Sequence, residues 1–395
     1  MSRSFVITPN LPYPTRSGAD LRSMAIIESL TRVGEVGVFG IGRTRLEPPS
    51  LSGIDLWATS SSEAALAHDE PTDARWISEP DWVPSDRYFS AAIAEEISAA
   101  LDRFSPDVVV LEQLVTAGYL DEAEANGARV VLDAHNVESH LHHQMAEAEE
   151  RGVRKVVRRH FAERVANLES RVVKQVDRVW ACSRGDQALL QAMGSAPVDV
   201  VPNGINTDRY ANLQLESTEN PEQPVVLFPA NFGYEPNVRA ARFIAEQLAP
   251  AVRQRWPDAR FLLPGRDPQP DLVAQARQAA IEMPGGVDDI LAYFSGATAM
   301  VVPLFEGGGT RLKILEAFAA KLPVIATSKA VEGLDVVEGV HFFPASSVDD
   351  FVQALAVITD DGREMTAAAR ELVESRYSQD AIDRAVVSSV DAILG

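Results

Sequence analysis

Short runs of β-branched and apolar residues recur along the chain with amphipathic stretches between them: Phe5 to Thr8, Val36 to Phe39, Val108 to Leu111, Val130 to Leu132, Val179 to Cys182 and Val198 to Val201. This alternation predicts βαβ units and a parallel sheet. It breaks after "VVPNGINTDRY". From Ala211 to Pro224 the text "ANLQLESTENPEQP" is polar, acidic and proline-containing, the composition of a linker. The pattern then resumes, with strands predicted at Val225 to Phe228, Phe261 to Leu263, Met300 to Val302 and Val324 to Ala326. Helical spacing is read at residues 237–254, 271–280, 287–295 and 310–320. Beyond "SVDDFVQAL" the apolar residues keep helical spacing with almost no strand signal, which predicts two or three closing helices. No internal repeat or low-complexity tract is present.

Length fits this division, since 395 residues at 46% hydrophobic are too many for one ordinary core. The expected domains are 1–212 and 225–377, joined by a linker at 213–224. A single cysteine, Cys182, excludes an intramolecular disulfide framework. The stretch "MSRSFVITPNLPYP" has no long apolar run, and no window approaches the roughly 18 uninterrupted apolar residues of a membrane helix. A cytoplasmic setting is therefore expected. The net charge of −21 argues against nucleic acid, whose binding needs clustered Lys and Arg. One segment runs the other way. Arg151 to Arg178 holds nine Lys or Arg against three Asp or Glu, a local net of +6. It reads as one long helix, either a solvated face or a surface for an anionic acceptor or the inner face of a membrane.

The densest candidate chemistry lies in "EGGGTRLKILEAFA", Glu306 to Ala319. Gly307, Gly308 and Gly309 follow a strand ending in "VVP" and precede a helix beginning near Thr310. Such a junction offers free N–H groups and about half a positive charge to an anion at the carboxyl end of a parallel strand. Arg311 and Lys313 place cations in the first turn, where the helix dipole favours acids. A bound diphosphate explains that placement. The bland reading is an ordinary Lys313–Glu316 pair three residues apart, worth a few tenths of a kcal/mol. Glu316 would repel an anion but could accept hydrogen bonds from neutral hydroxyls, such as those of a ribose.

The stretch "VVPLFEGGGTRLKILEAFAAKLPVIATSKAVEGL" resembles the nucleotide-sugar loop of glycosyltransferase family 4, retaining enzymes of GT-B fold, in the subgroup whose loop reads Gly-Gly-Gly-Thr-Arg-Leu-Lys. Other landmarks stand in the family's order: "LPYPTRSGADLR", "DAHNVES", "VVPNGINTDRY", "GYEPNVRAA", "LLPGRDP" and "GGVDDI". The resemblance covers nearly the whole chain. It implies two Rossmann-like α/β domains facing across a deep cleft, the first binding acceptor and the second the nucleotide sugar, with a last helix, 378–395, crossing back to the first domain. Two departures stand out. Many members carry two glutamates with seven residues between them; Glu316 matches the second, but Gly308 occupies the first position and Glu306 lies nearby. Many also hold the diphosphate with an Arg and a Lys of the first loop of the second domain, whereas "ANFGYEPN" has neither. Arg311 and Lys313 are the expected replacements.

By this resemblance the catalytic set is His135, Arg311, Lys313 and Glu306. Donor contacts fall to Gly18, Arg266, Gly307, Gly308, Gly309, Thr310, Leu312 and Glu316, and acceptor contacts to Arg22 and Asn136. Arg22 is also a candidate for the donor phosphate, and main-chain groups near Met283 for the base. Five of seven histidines lie between His135 and His160. His140 and His143 share a helical face, but companion ligands are not evident, so no metal is expected. The implied reaction is transfer of a sugar from a nucleotide diphosphate sugar to an acceptor hydroxyl, free of cofactor and metal, with a small-molecule, glycan or lipid-linked acceptor. The leaving phosphate takes the acceptor proton, and no carboxylate pair for a double displacement is found. A dinucleotide oxidoreductase lacks its G-x-G-x-x-G after the first strand. A related epimerase or pseudo-glycosyltransferase, or a nucleotide-binding scaffold without turnover, are the alternatives.

Overall fold

A computed structural model describes residues 2–395 apart from 14, 16, 43–52, 62–78, 80, 150, 151, 214, 216–221, 288, 308–311 and 362. The chain forms two compact units, Met1–Asn203 with Ile382–Gly395, and Gly204–Ala381. The units therefore divide at Asn203/Gly204 rather than at residue 212. The cause is local: Ile205 donates its N–H to the Tyr377 carbonyl at 2.8 Å, and Tyr210 lies in the second unit's core.

The first unit is built on a seven-stranded parallel sheet in the order β3-β2-β1-β4-β5-β6-β7. Its strands are β1 (Ser2–Thr8), β2 (Gly34–Gly40), β3 (Ile54–Thr59), β4 (Val108–Glu112), β5 (Arg129–Ala134), β6 (Arg178–Ala181) and β7 (Val198–Val200). Six were legible as apolar runs. Strand β3, "IDLWAT", mixes an acid and polar positions on a partly exposed edge and carried no such run. The central strands β1, β4 and β5 are apolar on both faces, as helices on both sides of a parallel sheet require. Helix α1 (Gly18–Leu30) follows β1, α2 (Ala91–Phe104) precedes β4, and α3 (Leu120–Ala125) precedes β5. After β5 come α4 (Glu138–Ala148) and the 23-residue α5 (Val153–Gln175), and α6 (Arg184–Gln191) follows β6.

The second unit carries a five-stranded parallel sheet in the order β12-β11-β10-β8-β9. These are β8 (Val225–Leu227), β9 (Arg260–Leu262), β10 (Ala299–Val302), β11 (Val324–Ala326) and the short edge β12 (Phe343–Pro344), which sequence reading missed. The expected helix at 237–254 is real but composite. Helix α7 (Glu235–Phe243) passes through a π turn at Ile244–Leu248 into α8 (Ala249–Arg255). Pro250 has no N–H for the regular ladder, and the wider turn directly before it accommodates that loss. Helices α9 (Pro270–Gln278), α10 (Leu291–Ser295) and α11 (Leu312–Ala319) complete the α/β pattern. Then come α12 (Val348–Asp361), α13 (Arg363–Arg376) and α14 (Gln379–Leu394).

Helix α14 begins in the second unit and ends in the first. Ile382, Val386 and Val390 are buried in the first unit's core with Ile26, Ile27 and Leu30 of α1. Polar contacts fix its register: Trp180 Nε1 donates to Ser389 Oγ at 2.7 Å, and Ser29 Oγ donates to Asp383 Oδ1 at 2.7 Å.

Helix α4 lacks a side-chain cap of its own, and a carboxylate from α5 replaces it. Buried Glu169 accepts from Glu138 N at 2.8 Å and Ser139 N at 3.1 Å, and also from Ser139 Oγ. The acid meets the positive end of the helix, where it is favourable. Glu169→Ala is expected to lower the unfolding free energy by about 2 kcal/mol or more, and Glu169→Gln by less, because the amide keeps one acceptor. Urea denaturation of both variants checks this.

Candidate active site

In the first unit the strand order reverses between β1 and β4, and the polar residues gather at the carboxyl ends of those strands, the usual ligand position of such sheets. Glu112 ends β4 and stands opposite Asp133 of β5 in register. Both are fully buried. His135 directly follows β5, with its side chain 8% exposed and its Nε2 3.2 Å from Asp133 Oδ2. That approach lacks hydrogen-bond alignment, so Nε2 is left without a hydrogen-bond partner.

Arg22, expected to reach donor or acceptor, is instead 3% exposed and committed inward. Its Nε lies 3.0 Å and 3.2 Å from the two Asp133 oxygens, and its second nitrogen also bonds Oδ1. The remaining nitrogen donates to Val201 O and Asn203 Oδ1, both at 2.8 Å. One turn into α1, position 22 faces the sheet, and a buried Asp133 needs a cation more than a ligand does. Burial alone would raise Asp133, but Arg22 and then His135 override it and bring its pKa to about 2. Glu112 has no direct ion pair. Neither of its oxygens has a well-aligned hydrogen bond, and burial pushes its pKa up to about 6, with His135 opposing, Asp133 adding and the nearby Ser23 and Thr8 hydroxyls opposing less.

Glu112, Asp133 and His135 present potential ligand atoms within 4.8 Å of one another. Arg22 already supplies the cation there. His140 and His143 do not join this group, and His140 Nε2 sits 2.8 Å from Gln144 Nε2. Cys182 donates its thiol toward the His135 carbonyl at 3.2 Å, and burial raises its pKa to about 12. Asn136 Nδ2 donates to Glu138 Oε1 at 3.3 Å. Gly18 opens α1 and is exposed, but Ser17 and Asp20 form a capping box there, with Asp20 N donating to Ser17 Oγ at 3.2 Å. An anion at that terminus would meet the Asp20 carboxylate.

The basic segment is helix α5 from Val153 onward, and part of its charge is answered by acids at the end of α4 and just past it. Lys155 and Arg159 pair with Glu147, and Arg158 with Glu149. Arg154, Arg171 and Lys174 are exposed.

In the second unit the order reverses between β8 and β10. The stretch from the end of β10 through α11 carries most of the expected donor residues. Gly308, Gly309, Thr310 and Arg311 lie outside the described residues. Gly307 has φ +93°, and a Cβ there would come 2.7 Å from the Tyr234 hydroxyl and 3.0 Å from Pro236 Cγ. The groups that crowd a side chain at 307 come from the end of the loop after β8 and the first turn of α7. Gly265, in "LLPG", is excluded from substitution similarly, since a Cβ would lie 1.6 Å from Ala230 O.

Glu306 pairs with Arg239 of α7 at 2.8 Å, and Arg239 also reaches Glu235 at 3.2 Å. It is a surface ion-pair member rather than an unengaged carboxylate. Lys313 Nζ donates to Asn237 Oδ1 at 3.2 Å and sits 4.4 Å from the centroid of Phe228. Glu316 accepts from the Tyr210 hydroxyl at 2.8 Å, and burial raises its pKa. Lys313 and Glu316, three apart on α11, each have a neutral partner and do not form a direct ion pair with one another. Leu312 packs against the core. Arg266 is exposed and fixes the first loop through its carbonyl, which accepts from Phe232 N at 2.8 Å. Asp133 and Glu112 were overlooked in the sequence although each is an acid closing an apolar strand. Tyr210, Phe228 and Asn237 carried no readable signal.

Glu112 makes stability depend on pH. With a folded pKa of about 6 against an ordinary 4.5, the native state holds the proton more tightly, so its contribution is lost as pH rises through that window. Glu112→Gln is expected to be more stable than wild type by about 2 kcal/mol at pH 8 and no more stable at pH 4. Denaturation curves at the two pH values decide it.

Residues 54–209 match the family model of Glycosyltransferase Family 4, and residues 223–361 match that of Glycosyl transferases group 1. No curated protein sequence matches significantly. A sucrose-phosphate synthase from Thermosynechococcus elongatus has a similar structure, with TM-score 0.73 and 16% identity over 100% of this chain and 99% of that one. Anabaena HepE in complex with UDP and glucose gives 0.65 and 14%, over 98% and 99%. WaaG, a glycosyltransferase involved in lipopolysaccharide biosynthesis, gives 0.62 and 15%, over 100% of both chains. At these identities the likeness shows the fold, which is GT-B. Among the described residues no helix is long and apolar enough to cross a membrane.

Proposed function

We propose that this chain, a glycosyltransferase resembling family 4 by the models matched in both of its parts, moves a sugar from a nucleotide diphosphate sugar to an acceptor hydroxyl with retention of configuration and without a metal. The observation that carries the reading is the position of Lys313. Its ammonium group is held by Phe228 and Asn237, at the reversal point between β8 and β10 where parallel sheets bind ligands. The related HepE was solved with UDP and with UDP-glucose, which makes a uridine nucleotide a sensible first donor to try.

In this reading the amides of Gly308, Gly309 and Thr310, with Arg311 and Lys313, hold the diphosphate and stabilise the charge that grows on it as the sugar leaves. Two side-chain cations supply what a divalent ion would otherwise provide. Glu316 accepts from the ribose hydroxyls. Arg266 lies by the nucleotide, and the main chain at Leu312 joins the diphosphate set. His135 attends the transferred sugar and Asn136 the acceptor. The bond from the anomeric carbon to the phosphate oxygen breaks while the bond to the acceptor oxygen forms on the same face. The acceptor proton passes to the leaving phosphate oxygen, so the chain needs no general base. Glu306, occupied by Arg239, fits that requirement. An anionic acceptor or membrane surface would meet Arg154, Arg171 and Lys174 of α5.

The test is calorimetry with UDP, GDP, ADP, CDP and dTDP, each with EDTA and with magnesium. One diphosphate is expected to bind indifferently to EDTA, and to bind about tenfold or more weakly in Arg311→Ala and in Lys313→Ala. Unchanged affinity in both variants overturns the diphosphate assignment. Nucleoside diphosphate released only when an acceptor is present separates transfer from mere binding.

A further inference from the structure

Tyr210 closes a one-turn 3-10 helix, Thr207–Tyr210, capped by the Asn206 side chain, which accepts from Asp208 N at 3.0 Å. Its ring is 4% exposed and meets Phe294 edge to face, with centroids 6.1 Å apart. From this apolar seat the hydroxyl donates to Glu316 Oε1 at 2.8 Å. Burial, and then the Glu316 charge, push the phenol's pKa upward, so it stays a donor at any working pH. The platform is braced from a third element. Arg370 of α13 donates to the Ala319 carbonyl at the end of α11 and reaches the Thr207 carbonyl at 3.5 Å.

Glu316 shares its helical face with Lys313, and a carboxylate three residues from an ammonium group tends to close on it. Closure would cancel the cation that the diphosphate needs. Tyr210 takes Oε1, and among the described residues no group hydrogen-bonds Oε2. Asn237 and Phe228 hold Lys313 in turn. We propose that Tyr210 is a positioning residue: its hydroxyl anchors Glu316 away from Lys313 and leaves Oε2 to accept from the vicinal hydroxyls of a ribonucleoside diphosphate. This rests on the reading of α11 as the donor helix and deepens it, because it makes discrimination between ribose and deoxyribose a property of a residue outside the glycine loop.

Tyr210→Phe removes one oxygen and keeps the ring against Phe294. The probes are UDP, GDP and ADP with their 2′-deoxy counterparts, measured by calorimetry on the full-length chain. Wild type is expected to bind the ribose form about tenfold more tightly than the deoxy form. In Tyr210→Phe the ribose form should weaken about five- to tenfold and the deoxy form hardly at all, so that discrimination collapses. In a Glu316→Gln background the same substitution should cost nothing further toward the ribose form, since the two residues act as a unit. Equal weakening of both forms, or full retention of discrimination, overturns the positioning role while leaving the diphosphate assignment intact. Wild type that binds a diphosphate but ignores the 2′-hydroxyl removes the ribose reading of Glu316, and Tyr210's role falls with it. Thermal melts of Tyr210→Phe confirm that the variant compared is folded.

Discussion

A carboxylate buried at the end of a parallel strand is tolerated only with a cation or a proton beside it, and the first unit supplies one of each. Asp133 has Arg22; Glu112, one strand over, has a proton below a pKa of about 6. The Arg22 contact sets more than a local charge. It joins α1 to β5 and to the carbonyl of Val201 and the amide of Asn203, at the last residues before the chain leaves the unit. The surroundings of His135 therefore depend on a side chain committed to the protein's own groups.

The second unit arranges its charges differently. Lys313 and Glu316 are partly buried, and an amide, an aromatic face and a phenol are among the groups that hold them. Arg239 and Glu306 show the alternative outcome. They cancel each other on an exposed surface, where such a pair contributes roughly 0 to 1 kcal/mol and leaves little charge for a ligand. In the proposed reading the ammonium group of Lys313 serves the diphosphate and the carboxylate of Glu316 the ribose, which is why they are held by different neighbours.

The parallel strands were legible because burial on both faces writes continuous apolar runs, as in β1, β4 and β5. The edge strands β3 and β12 escaped for the converse reason, being short or half exposed. Glycines gave position but not cause. Gly307 looked like a seat for phosphate, and what crowds it is Tyr234 and Pro236, brought there by the fold from far along the chain. Arg22 misled for a related reason. Its helical position was clear, but whether it faced solvent or sheet turned on Asp133, more than a hundred residues away. Side chains recruited across the fold leave no local periodicity, which is why Tyr210 and Asn237 were invisible as site residues.

The same logic bears on the missing cations of "ANFGYEPN". That stretch lacks the Arg and Lys expected of it, yet its neighbourhood is not without positive charge, since Lys313 reaches from α11 to Phe228 just before it and to Asn237 at its end. In the proposed reading the cation comes from a different loop but stands beside the same strand end. Electrostatic stabilisation of a leaving group depends on where charge sits relative to the developing anion, and is indifferent to which loop delivers it. A departure from a linear motif is therefore weak ground for inferring lost activity until the partner of each relocated side chain is known.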